Sequence, residues 1–233
     1  MAAIFKREFK AYFTSPVGYV VLAIYALFSG YFFAYMYANG YPYTSFIFSQ
    51  MFTIVMFTVP IITMKLMSED KRQKTDQALL TAPVRLSSIV LGKFFAALCF
   101  FLLGFAETLL FQIIVAFKVT PDWATFIGNV VGIVLFGAAL IAVGLFVSAL
   151  TESQVVAAIG SFAISLVLIL MDTFAQILNV AWVTKAVEWI SFSGRYTTFT
   201  EGILDLSNVI FFLSFAALFL FLTVRVLEKK RYA

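Results

Sequence analysis

The sequence contains no histidine and a single cysteine, Cys99. A transition-metal or haem centre needs imidazole or thiolate ligands that are missing here, and one cysteine cannot close a disulfide within the chain. Charge is also sparse: Asp, Glu, Lys and Arg together make 12 % of the 233 residues. There is no G-x-x-x-x-G-K-S/T phosphate loop; Gly92-Lys93 lacks both the preceding glycine and the following Ser or Thr, so the chain is not expected to hydrolyse ATP by itself. What is present is apolar: 63 % of residues are hydrophobic, 29 of them phenylalanine, and the mean hydropathy is +1.01. Repeated uncharged runs of about 20 residues exceed what a soluble core of this length hides. The composition implies an all-α polytopic membrane protein.

Six spans follow from uncharged length, at 17–38, 46–66, 94–117, 124–150, 155–171 and 207–226. The second carries Pro60, tolerated in a membrane helix when neighbours satisfy the freed carbonyl, and ends near Lys65, which can snorkel to the interface. The fifth is the shortest, because Asp172 interrupts it. On this model of six spans, 13 Lys and Arg residues fall on one side and only Lys118, Lys185 and Arg195 on the other. The positive-inside rule then places both termini and the 69–93 segment in the cytosol. The chain reads as a single transmembrane domain, 1–233, of a bacterial cytoplasmic membrane protein, with special segments at 1–15, 69–93 and 172–206. Its basic residues hug the membrane face, where they meet anionic lipid, so nucleic-acid binding is not expected.

The first segment is read as an amphipathic helix in the cytosolic interface, not as a cleaved signal. Phe5, Phe9, Tyr12 and Phe13 share one face, Lys6, Arg7 and Lys10 take others, and Ser15-Pro16 stops the helix. In the second segment Ser68 is expected to cap a polar helix running to about Leu80, with Asp70 and Lys74 paired one turn apart. Pro83 breaks it, and the third span restarts with Ser87 or Ser88 as cap. Exposed Leu79 and Leu80 beside that break suit docking into a groove on a partner, although an ordinary solvated loop also accounts for them.

Within the spans the one deep acid is Glu107. Fifteen Leu, Ile, Val and Phe residues in 94–117, at roughly 0.3–0.6 kcal/mol each, outweigh a penalty of about 3 kcal/mol for a central carboxylate, so insertion survives it. Glu107, with Gln112 five residues on, is a candidate for the substrate path; a hydrogen-bonded structural acid is the alternative. Gly128, Gly132, Gly137 and Gly144 let the fourth span approach its neighbours closely, within the bundle or across a dimer seam. Residues 172–206 are neither loop-like nor spanning and are expected to form short external or re-entrant helices, with Trp182 and Trp189 at headgroup level. Asp172, Arg195, Glu201 and Asp205 are candidate gate residues or contacts for an external accessory protein.

The run K-T-D-Q-A-L-L-T-A-P-V (74–84) followed by I-V-L-G-K-F (89–94) resembles the intracellular loop of type-2 ABC-transporter permeases. The stretches 200–214 and 219–231 look like the last span of gliding-motility-type permeases in that superfamily, and S-P-V-G-Y (15–19) is similar to the end of their amphipathic start. The resemblance implies the membrane half of an ATP-driven exporter, in which two permease chains pair and each docks an ATPase subunit. It assigns Asp76, Gln77, Leu79, Leu80 and Pro83 to the coupling element and makes the external helices an outer gate. ATP and Mg would sit on the partner ATPase and no cofactor on this chain. Glu152, in the turn after the fourth span, is a further candidate contact for the motor or simply solvated. Cargo is expected to be hydrophobic or amphipathic. A motor-independent transporter or channel, or an ATPase-coupled scaffold that moves no cargo, are the alternatives.

Overall fold

The computed structural model describes residues 1–40, 43–77, 84–178, 182, 187 and 189–232. Among these, regular structure is entirely helical: α1 (Ala2–Thr14), α2 (Pro16–Ala38), α3 (Ser45–Thr63), α4 (Lys65–Arg72), α5 (Leu86–Phe105), α6 (Glu107–Ala116), α7 (Trp123–Leu150), α8 (Gln154–Leu178), α9 (Phe192–Thr200) and α10 (Leu206–Tyr232). Among the described residues six stretches are long and apolar enough to cross a membrane: Pro16–Ala38, Ser45–Arg72, Leu86–Ala116, Trp123–Leu150, Gln154–Asp172 and Leu206–Arg231. The expected all-α, six-span architecture is therefore present.

The spans are not equally enclosed. The fourth is 78 % buried, whereas the first, fifth and sixth are 22, 22 and 17 % buried, so α7 is the central post. It packs on α3, α4, α5, α8, α9 and α10. Its glycines make this possible, since in a membrane helices associate through close packing rather than through loss of water. A Cβ at Gly144 would lie 2.1 Å from the Thr63 hydroxyl, and one at Gly132 would lie 2.6 Å from Phe199. Gly128 likewise faces α9 and Gly202. Both glycines of the Gly128-x-x-x-Gly132 pair thus pack within the chain. At the same level Phe52, Phe136 and Tyr196 stack, and the Tyr196 hydroxyl donates to the Phe48 carbonyl at 2.8 Å.

Helix α1 ends where expected. Ser15 is extended, at φ −104° and ψ 138°, and Pro16 opens α2 with the φ its ring imposes. The elbow is tight enough that a Cβ on Gly18 would lie 2.0 Å from the Tyr12 carbonyl oxygen. Lys6, Arg7 and Lys10 are exposed. The apolar face meets protein: Ile4, Phe9, Tyr12 and Phe13 pack on the core, and Tyr12 stacks on Phe100 of α5 at 4.3 Å.

Several boundaries differ from the sequence reading. The third span starts at Leu86 with Arg85 before it, so Ser87 and Ser88 lie inside the first turn and cap nothing. Ser68 is no cap either: it is fully buried inside α4, and its hydroxyl donates to the Met64 carbonyl. The polar helix stops at Arg72, and Lys74, at φ 58°, leaves the helical region, which rules out its one-turn pairing with Asp70. Asp172 does not end the fifth span's helix but lies within α8.

Candidate functional site

One end of the bundle, where α1, α4, the start of α5 and the ends of α7 and α10 meet, is braced by polar contacts reaching across the sequence. The first brace is Ser148 of α7. Its hydroxyl accepts from the Met67 and Ser68 N–H groups, each at 3.0 Å, and donates to the Met64 carbonyl at 3.1 Å. A side chain has entered the backbone ladder, and this is why α3 and α4 are separate helices rather than one. One turn further, the buried ammonium of Lys71 donates to the Ala149 carbonyl. The last carbonyls of α7 have no partner within their helix and carry its negative dipole end, which a cation satisfies.

The second brace is a buried ion cluster. Lys93, 1 % exposed, lies between the Glu8 carboxylate at 2.8 Å and that of Asp70 at 2.7 Å. Arg7, half exposed, reaches the same two acids, at 2.5 and 3.2 Å. Two cations and two carboxylates thus tie α1, α4 and α5 into one unit. Burial works against the Arg7 charge, but Glu8 and Asp70 more than offset it and hold the guanidinium above its ordinary pKa. Beside them Tyr12 donates to the Ile62 carbonyl at 3.0 Å; enclosure, and then the nearby Glu8 charge, push its phenol far up, so it stays a donor.

The expected coupling residues gather here in part. Asp76 and Glu152, far apart in sequence, both act electrostatically in favour of the Lys71 charge, and Lys230 of α10 acts against it as a like charge. Asp76 is half-buried, while Gln77 and Glu152 are exposed. Leu79, Leu80 and Pro83 lie outside the described residues. Sequence reasoning missed Glu8, Asp70 and Lys93 as a site. The available signal was Glu8, a lone acid one turn from both Ile4 and Tyr12 on an otherwise apolar helix face.

The candidate path and gate residues do not converge. Glu107 opens α6 just beyond the helix break at Ala106, where backbone bonds shorten to the i+3 pattern. Its half-buried carboxylate accepts from Ser29 of α2. Gln112 is buried and accepts from Thr44, just before α3, at 2.6 Å. These two groups fasten the third span to different neighbours. At the far end, Ser191 donates to Asp172 at 2.8 Å and accepts from the Gly194 N–H at 2.9 Å, so Asp172 anchors the start of α9. Arg195 donates to Asn208 at 2.8 Å and to the Trp189 carbonyl at 3.1 Å, and lies over Phe211. Asp205 caps α10 through the Ser207 N–H at 2.9 Å, and Glu201 is an exposed residue ending α9. Trp182 and Trp189 are both exposed, as interface anchors require.

Six apolar spans, five of them around a glycine-rich post, with one end cross-braced by buried charge, define a multi-pass membrane protein. Residues 33–231, nearly the whole of it, match the family model described as ABC-2 family transporter protein. The chain belongs to that family: it is a transmembrane component of an ABC transporter, whose ATPase is a separate subunit. No match is found among the curated proteins.

Proposed function

We propose that this chain is the permease subunit of an ATP-driven exporter of the bacterial cytoplasmic membrane, paired with a second permease chain, with both termini and the 73–85 segment in the cytosol. The observation that carries the reading is the braced end of the bundle. A partner pressing on the segment after α4 acts on a helix fixed to α1 and α5 through the Glu8, Asp70 and Lys93 cluster and to α7 through Ser148 and Lys71. Displacement there is delivered to four elements together instead of being absorbed by a loop. Asp76, Gln77, Leu79, Leu80, Pro83 and Glu152 form the contact surface for the ATPase, which binds ATP and Mg. The aromatic, apolar spans suit a hydrophobic or amphipathic cargo. The resemblance of 200–214 and 219–231 to gliding-motility-type permeases supports membership of that branch of the family.

The test is reconstitution with the ATPase in liposomes, adding ATP and following a fluorescent amphipathic lipid across the bilayer. Flux that needs both ATP and the ATPase supports the reading. Hydrolysis without flux of any amphipathic probe favours an ATPase-coupled scaffold, and flux without the ATPase a motor-independent transporter.

A further inference from the structure

A pocket of about 360 Å³ opens between the α1–α2 elbow and the end of the second span, and Asp76, Gln77 and Glu152 are not among its lining residues. Its volume lies in the range of small-molecule sites, roughly 300–1,000 Å³. Its walls carry opposite charges that do not neutralise each other. Lys65 and Glu69 stand one turn apart on α4, a spacing at which such residues ordinarily pair. Here the Lys65 ammonium turns to the Ser15 hydroxyl at 3.0 Å, and Glu69 accepts from Gln73 at 3.2 Å. Among the described residues Lys65 forms no ion pair, and both side chains are half-buried at the pocket wall. Tyr12, Ile62 and Leu66 line the same pocket and give it an apolar floor beside the two charges. Pro16 is the first residue of the first candidate span and Lys65 is near the end of the second, so the mouth lies at headgroup depth.

We infer that this pocket binds the headgroup of a zwitterionic phospholipid bearing a primary amine, its phosphate on Lys65 and Ser15 and its ammonium on Glu69. A phosphate diester and an ammonium on one short linker match a cation and an acid held one turn apart along one wall of the pocket, whereas a purely anionic headgroup meets the carboxylates of Glu69 and Glu8. The glycerol and first acyl carbons lie on the apolar floor. The inference does not depend on ATPase coupling, since the pocket involves the bundle alone.

The experiment is native mass spectrometry of the full chain in detergent, with phosphatidylethanolamine, phosphatidylcholine and phosphatidylglycerol supplied in equal amounts. Phosphatidylethanolamine is expected to be retained best, because its primary amine can donate to Glu69 and a quaternary amine cannot. Lys65→Met and Glu69→Gln each reduce that retention about tenfold, the loss of one charge-assisted contact. Lys65→Arg retains it and shows that the variants act through charge and not through misfolding, as does Lys10→Gln on the exposed face of α1. Equal retention of the three lipids, or preference for phosphatidylglycerol, overturns the inference. Glycerophosphoethanolamine, which has the headgroup without the chains, is added as competitor: failure to displace supports a lipid occupant, and displacement at equal concentration overturns it in favour of a soluble phosphodiester amine.

Discussion

Removing the Lys93 ammonium should destabilise the fold far more than removing any exposed charge, and a second substitution should repair much of the damage. Lys93 is 1 % exposed between two carboxylates. Lys93→Met leaves Glu8 and Asp70 facing each other with Arg7 as their one ion-pair partner among the described residues, one net negative charge in an enclosed site. Breaking a buried pair by deleting one partner costs about 3–5 kcal/mol, mostly from the charge left behind. Asp70→Asn alone leaves one net positive charge and is damaging for the same reason. The double variant retains Arg7 and Glu8, net charge zero, so the two penalties must not add; a coupling of about 2 kcal/mol is expected for groups in contact. By contrast Arg7→Ala, at a half-exposed position, should cost about 1 kcal/mol or less. Equilibrium unfolding in mixed micelles, followed by far-ultraviolet circular dichroism, measures all four. Additivity of Lys93→Met and Asp70→Asn to within about 0.5 kcal/mol would refute the cluster as an energetic unit.

Three further outcomes are expected. Ser148→Ala strands the Met67 and Ser68 N–H groups without their acceptor and should cost about 1–3 kcal/mol in the same unfolding assay; full stability would mean that α3 and α4 join without the inserted hydroxyl. Gly144→Ala places a methyl 2.1 Å from the Thr63 hydroxyl and should destabilise by about 1–3 kcal/mol, with Thr63→Ala on the same background restoring most of it. Asp122, at the start of α7, accepts from the Thr125 hydroxyl and N–H, which hold its carboxyl below the usual pKa. A depressed carboxylate stabilises above its unfolded pKa, and that stability is lost as pH falls through the folded one. Protection of the Thr125 amide, its exchange rate taken relative to the intrinsic rate at each pH, should therefore hold at neutral pH and fall on acidification below the ordinary Asp range; an Asp122→Asn chain should not show the step.

The spans were legible because each is a run of membrane length with at most one charged residue, and Ser15-Pro16 was legible because proline fixes its own φ and forbids continuation of α1. The charged junction was not legible, for a physical reason. Sequence reading takes a charge as the edge of a span, yet Lys93 sits two turns inside α5, since Glu8 and Asp70 supply the compensation that water would give. Ser68 was misread as a cap because the group that interrupts the helix there, Ser148, lies on another span. Asp70 was assigned to its neighbour Lys74, but the long-range partner Lys93 won while Lys74 turned out of the helix. For the candidate path and gate residues the sequence could not supply the partners: Asp172 and Asp205 anchor helices, and Glu107 and Gln112 each bond to a different neighbour. Local pattern reveals elements; contacts between distant segments decide which charges are structural.

The most direct measurement is to co-express the chain with its ATPase, purify the complex, and compare ATP hydrolysis and subunit retention for wild type, Asp76→Lys/Glu152→Lys and Leu79→Asp/Leu80→Asp. The account predicts a stable wild-type complex whose ATPase subunit is lost or uncoupled in both double variants while the permease still folds. A permease that folds, binds no ATPase and behaves identically in all three forms would contradict it.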